Sequence, residues 1–288
     1  MPYAARALHG YMVRCPEPVP GHPGLQRASF GCWLLPIPSV AHAQWDWGDC
    51  TGRAVESWLY ARAMTGDREF GREVEQGQRA TLVWLLTPTD GMPCVPERSD
   101  LPKGVYHYQM WDQGRTLRAL VRWWLAEADP ATKVDLEARI RKMSVSLRRL
   151  AKHGVDPQFG EYAVYPWDNL TGDQPGDDLW IMRGGQLLEP LAMYWEASGD
   201  ADALRFAGEI CAGVLPGHEA DTGPDWAKPS FRFGPDGSFR GHFHDHASIA
   251  LGVARFGTAL VGGGNGSGDW TRSGGPRVSS TGPSRPPT

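Results

Sequence analysis

Apolar positions recur along the chain with the period of a helix, in four blocks separated by turn and loop composition. In the first block, residues 52–86, Val55, Trp58, Leu59 and Arg62 fall on one helical face. Thr65-Gly66-Asp67 then marks a turn, and a second helix runs to about Leu86. The second block opens at Asp112, with Leu117, Leu120, Val121, Trp124 and Leu125 in one stripe. Its partner helix carries Leu136, Ile140, Met143, Leu147 and Leu150 on one face. The third block, residues 183–215, again sets a turn, Ser198-Gly199-Asp200, between two helices. Pro190 lies inside the first of these and should kink it, because proline lacks the backbone donor and crowds the preceding turn. The fourth block, residues 246–257, has Ile249, Val253 and Phe256 on one side. Strand signals are confined to short pieces, residues 162–167 (YAVYPW) and 231–239 (FRFGPDGSF), the second read as a small hairpin.

The blocks are helical hairpins, and their first helices open near residues 52, 113, 184 and 246. The spacing of roughly 60–70 residues is a long-period repeat. Thr65-Gly66-Asp67 and Ser198-Gly199-Asp200 hold the same place in their units, and Ala128-Asp129-Pro130 does so more loosely. Stacked hairpins bury their faces on one another, so the expected fold is all-α, an (α/α) toroid of repeated helical hairpins or an open arc of one. From Thr258 the pattern fails, and the chain becomes rich in Gly, Ser, Thr and Pro. Such a composition cannot offset the entropy of ordering. The expected division is a helical domain over 1–257, with about three and a half hairpins, and a disordered tail over 258–288, where loss of the reading frame would explain the change.

Composition narrows the function. A net charge of −4 and a pI near 6.1 imply no basic face, which argues against nucleic acid and anionic membranes as partners. No apolar run is long enough to span a bilayer. The N-terminus lacks the apolar core of a signal peptide, so a cytoplasmic location is expected. Five cysteines without paired spacing suggest neither a disulfide framework nor a zinc knuckle. Thirteen tryptophans are a surplus that suggests flat binding surfaces.

The candidate chemistry lies in the segments before the first helices: QWDWGDC (44–50), YHYQMWDQG (106–114), YPWDNLTGDQPGDDLWIMRGG (165–185) and SFRGHFHDH (238–246). If first helices are inner helices, they run parallel and these segments collect on one face. Indole faces stack on sugar rings, and Trp45, Trp47, Trp111, Trp167 and Trp180 are available. Carboxylates come from Asp46, Asp49, Asp112, Asp168, Asp177 and Asp178. Cleaving a glycosidic bond needs one carboxylic acid and one carboxylate, and Asp49 and Asp112 are the candidates. Helix N-termini would tend to keep both ionised, which suits a base better than an acid; either could instead be a plain helix cap. Arg53 and Arg115, each after a glycine, could clamp a substrate or pair with the aspartates. Gln186, at the start of the third inner helix, joins the expected substrate contacts together with Asp168, Asp178, Trp180 and His242. The dense oxygens of DNLTGDQPGDD lack the spacing of a calcium loop. His242, His244 and His246 could share a face in an extended chain and hold a metal. Proton donation or hydrogen bonding by His244 or His246 is the preferred role, with capping and packing the plain alternative, so neither metal nor cofactor is expected.

WDWGDCTGRAVESWLYARAMTGD, the Gly-Asp turns and GHFHDHASIALGVARFG resemble the six-hairpin glycosidases, nearest to the β-L-arabinofuranosidase-like proteins of glycoside hydrolase family 127. The likeness covers about residues 1–257. It implies an (α/α)6 toroid, of which only part is present, and a histidine-rich element opening an inner helix, matched by His242, His244 and His246. That family uses a zinc-held cysteine cluster with a cysteine nucleophile. No adjacent cysteine pair or Cys-x-Glu grouping exists here, so neither is carried over. The related unsaturated glucuronyl hydrolases use aspartate pairs, which the Trp-Asp segments would suit. The expected activity is glycoside hydrolysis on an oligo- or polysaccharide by Asp49 and Asp112, assisted by His244 or His246. The alternatives are a polysaccharide lyase, with Arg183 or Arg240 neutralising a uronate carboxylate, and an inactive carbohydrate-binding or scaffold protein.

Overall fold

A computed structural model describes residues 10–14, 16–28, 47–94, 110–165, 184–214 and 243–262, with single positions 3, 6 and 108; side chains 11, 111 and 243–246 lie outside that description. After one helical turn, Tyr11–Arg14, the described chain forms seven helices: α1 (Trp47–Thr65), α2 (Arg72–Trp84), α3 (Met110–Ala126), α4 (Pro130–Leu150), α5 (Leu188–Ser198), α6 (Ala201–Val214) and α7 (Phe243–Val261). Four short strands make two antiparallel pairs. Strand β1 (Glu17–Pro18) pairs with β2 (Gln26–Arg27), and β3 (Lys152–Asp156) pairs with β4 (Gly160–Val164).

The odd-numbered helices form an inner row. Helix α1 packs on α3, α3 on α5 and α5 on α7, while α2, α4 and α6 each pack outside their own partner. This is the repeated-hairpin architecture of an all-α, toroid-like fold, with a main core running through the hairpins and a smaller cluster around Trp58 and Ala61. The stripes explain why. Val55 and Trp58 of α1, Leu117, Leu120, Val121 and Trp124 of α3, and Leu136, Ile140, Met143 and Leu147 of α4 are all buried. Each such side chain contributes on the order of 2 kcal/mol by leaving water. Leu125 and Leu150, assigned to the same stripes, are 44% and 39% exposed because both sit at helix ends beyond the packed interface.

The hairpin turns share one device. Gly66 and Gly199 both have φ of 72°, the left-handed conformation that ends a helix and that glycine adopts without strain. The aspartate that follows then gathers free amides. Asp67 Oδ1 accepts from Glu69 and Phe70 N–H, and Asp200 Oδ1 from Asp202 and Ala203 N–H. In the middle hairpin Asp129 caps α4 through Thr132 N–H at 2.8 Å, with Pro130 at the first helical position.

Several boundaries differ from the pattern reading. Helices α1, α3 and α7 begin at Trp47, Met110 and Phe243, three to five residues earlier than expected. Pro190 does not kink a helix interior. It lies in the first turn of α5, where its missing N–H is not needed, and a 3-10 turn over Gly185–Leu187 precedes it. Residues 162–164 of YAVYPW lie in β4, whose partner β3 carried no expected strand signal, nor did β1 and β2. Residues 231–239 lie outside the described residues. Helix α7 continues to Val261, past the break assigned at Thr258.

Candidate functional site

The site is built where inner helices α1 and α3 begin. Asp49 and Asp112 are each the third residue of their helix rather than part of a preceding loop. The first amides of a helix have no partner within it. At α1 the neighbouring helix supplies one: Asp112 Oδ2 accepts from Gly48 N–H at 3.0 Å and Oδ1 from Asp49 N–H at 2.9 Å. The approach depends on Gly48, because a Cβ there would lie 2.8 Å from Asp112 Cβ and 2.9 Å from Asp112 Cγ. Asp112, expected as a possible cap of the helix it opens, instead accepts the first amides of the neighbouring helix α1.

Asp49 is buried beside it, and two guanidiniums converge on its Oδ1. Arg53 Nε donates at 2.8 Å and Arg115 Nε lies at 3.3 Å. Burial, and then the nearby Arg53 charge, lower the Arg115 pKa from its ordinary value. Arg115 Nη2 also donates to Ser248 Oγ at 3.4 Å, which ties α3 to α7. The two arginines therefore pair with Asp49, one of the two roles the sequence suggested for them.

Gln186 sits on the other side of α3. Its side chain lies against Gly114, where a Cβ would be 2.5 Å from Gln186 Cβ and 2.9 Å from its Oε1. The relation parallels Asp112 on Gly48: a side chain of the later inner segment covers a glycine near the start of the earlier helix. The outcome differs. Gln186 is 7% exposed, and among the described residues neither its Oε1 nor its Nε2 has a hydrogen-bond partner. A buried amide left so costs about 1–3 kcal/mol.

Trp47 starts α1 and is half-buried. The Arg27 guanidinium sits 4.8 Å over its ring, and the Trp84 ring centroid is 6.2 Å away. Trp45, Asp46, Asp168, Asp178, Trp180 and His242 lie outside the described residues, as do the side chains of Trp111, His244 and His246. The backbone at His244 and His246 is helical, not extended.

Farther along the inner row is a charge network that the pattern reading missed. Arg118 spans Glu56 of α1 (2.8 Å) and Glu189 of α5 (2.9 Å), and Arg122 reaches Glu189 at 3.1 Å. A signal existed: Arg115, Arg118 and Arg122 fall on one face of an inner helix. Among the described residues no group of three or more His, Cys, Asp or Glu side chains is arranged to hold a metal. Burial raises the Cys94 and Cys211 thiols to about 11, which suits packing rather than a thiolate nucleophile. No described helix is long and apolar enough to cross a membrane.

No protein-family model matches the chain, and no curated protein does. Among solved structures it is similar to one described as an unsaturated glucuronyl hydrolase specific for heparin. The identity is 12% and the TM-score 0.39, over 89% of this chain and 81% of that one. Nothing about activity follows from a likeness at that level.

Proposed function

We propose that this protein acts on carbohydrate and hydrolyses glycosidic bonds at the face where the inner helices begin. The supporting observation is the meeting of Asp49 and Asp112. Two Trp-Asp-containing segments, far apart in sequence, bring their carboxylates to adjoining helix starts, with Asp49 N–H bonded to Asp112 Oδ1. Glycoside hydrolysis uses such a carboxyl pair, one as acid and one as base or nucleophile. Arg53 and Arg115 position Asp49, and the Gln186 amide offers a donor and an acceptor to a sugar hydroxyl. His244 or His246, at the start of α7, would assist proton transfer. The likeness of the sequence to β-L-arabinofuranosidase-like proteins makes arabinofuranosides the first substrates to try.

A second reading is a carbohydrate-binding scaffold without turnover. It is favoured by the engagement of Asp112, both of whose oxygens accept helix amides. Release of reducing ends from a panel of aryl glycosides and oligosaccharides separates the two. Under the hydrolase reading, Asp49→Asn and Asp112→Asn each lower turnover about 10²–10⁴-fold. Full activity in both variants would remove the assignment. Sugar binding with no turnover by the wild type would establish the scaffold, and an ultraviolet-absorbing unsaturated product would instead indicate a lyase.

A further inference from the structure

The strand pair β1–β2 is docked against α2 and the start of α1 by specific contacts. Gln26 N–H donates to Thr81 Oγ1 at 2.9 Å, and the Gly24 carbonyl and Gln26 side chain press on Gly77 of α2. The docking carries a row of π systems to the edge of the candidate site. His22, exposed at the tip of the β1–β2 connection, lies on Trp84 with ring centroids 4.7 Å apart and planes 52° apart. Trp84 in turn lies 6.2 Å from Trp47 at 58°, and Arg27 covers part of Trp47 at 4.8 Å. The rings are tilted rather than stacked flat, and both indoles remain half-buried instead of fully enclosed. Trp47 is followed at once by Gly48, whose N–H binds Asp112.

We propose that Trp47 and Trp84, walled by His22 and Arg27, form a stacking subsite for a sugar ring of an extended glycan next to the Asp49–Asp112 pair. This rests on the carbohydrate reading above. The chemistry is specific to that occupant. A saturated sugar ring presents C–H bonds of partial positive charge, which the negative face of an indole attracts as it attracts the Arg27 guanidinium. Its hydroxyls, at the ring's rim, meet the polar tips of Arg27 and His22 and the Glu17 carboxylate, 3.8 Å from Arg27. A wholly apolar partner would strand those charged tips. The subsite is tied to the carboxylates through Gly48, the residue between Trp47 and Asp49, whose N–H donates to Asp112.

The test is affinity electrophoresis of the full chain in native gels containing soluble arabinan, xylan or hyaluronan. Wild-type protein is expected to be retarded by at least one glycan. Trp84→Ala should weaken that retention about tenfold, and Trp84→Phe, which keeps the packing of the β1–β2 segment, about threefold. Equal retention of wild type and both Trp84 variants, or no retention of wild type on any of the three, overturns the subsite. If Trp84→Ala does not fold, Trp84→Phe alone decides. Retention that depends on Trp84, without release of reducing ends, would sink the hydrolase reading and leave the subsite standing.

Discussion

Asp112 holds the start of a helix that is not its own. Its two carboxylate oxygens accept the Gly48 and Asp49 amides, 64 and 63 residues earlier in the chain. One side chain therefore terminates α1, fixes the distance between α1 and α3, and stands beside the second carboxylate of the candidate site. Asp49 has a different task, since its own carboxylate faces Arg53 and Arg115.

This division predicts different responses from the two aspartates. Asp112→Ala removes two buried acceptors and should lower stability by about 2 kcal/mol. Asp49→Asn keeps an oxygen for the arginines but removes the buried charge that faces them, so its loss of about 3 kcal/mol should come from uncompensated charge and grow at low salt, whereas that of Asp112→Ala should not depend on salt. Urea denaturation of both variants at low and high salt measures this. A salt-dependent loss in Asp112→Ala with a salt-independent one in Asp49→Asn would reverse the roles.

Gly48→Ala tests the close approach. The new methyl would meet Asp112 Cβ at 2.8 Å and Thr116 Oγ1 at 2.9 Å. Elsewhere in a helix alanine stabilises relative to glycine by up to about 1 kcal/mol. Here the clash should reverse the sign and cost about 1–3 kcal/mol. Thermal unfolding that shows a gain would place Asp112 farther from Gly48.

Gln186→Met should separate stability from binding. Removing an amide that has no partner among the described residues, while keeping its volume, should raise stability by about 1 kcal/mol. The same change should weaken binding of whichever glycan the wild type retains. A fall in the unfolding temperature of Gln186→Met would mean that the amide is already satisfied within the fold.

Asp129→Ala should destabilise α4 in a pH-dependent way. Side-chain and backbone hydrogen bonds from Thr132 hold the Asp129 carboxyl below its ordinary pKa. The folded state thus binds its proton more weakly than the unfolded state. The stabilisation is present above the unfolded value of about 3.9 and is lost as pH falls through the depressed folded value. The difference in unfolding temperature between wild type and Asp129→Ala should accordingly be clear at neutral pH and shrink below about pH 4.

The helical hairpins and the places where they turn follow from local signals along the chain. Helical stripes such as Leu136–Ile140–Met143–Leu147 and turn residues such as Gly66-Asp67 and Gly199-Asp200 act over a few positions, so their meaning is local and readable. The sequence also placed Asp49 and Asp112 at corresponding helix starts, since one repeat element recurs before each inner helix. What those side chains do depends on how the helices pack. That Asp112 caps α1, that Arg118 joins Glu56 to Glu189, and that Gln186 covers Gly114 are contacts between segments distant in the chain. Periodicity reports which face of a helix is buried. It does not report which neighbour lies against that face, and the hydrogen bonds of a helix end depend on that neighbour. For the same reason α1 begins earlier than its stripe: the amides of Gly48 and Asp49 find acceptors on another helix.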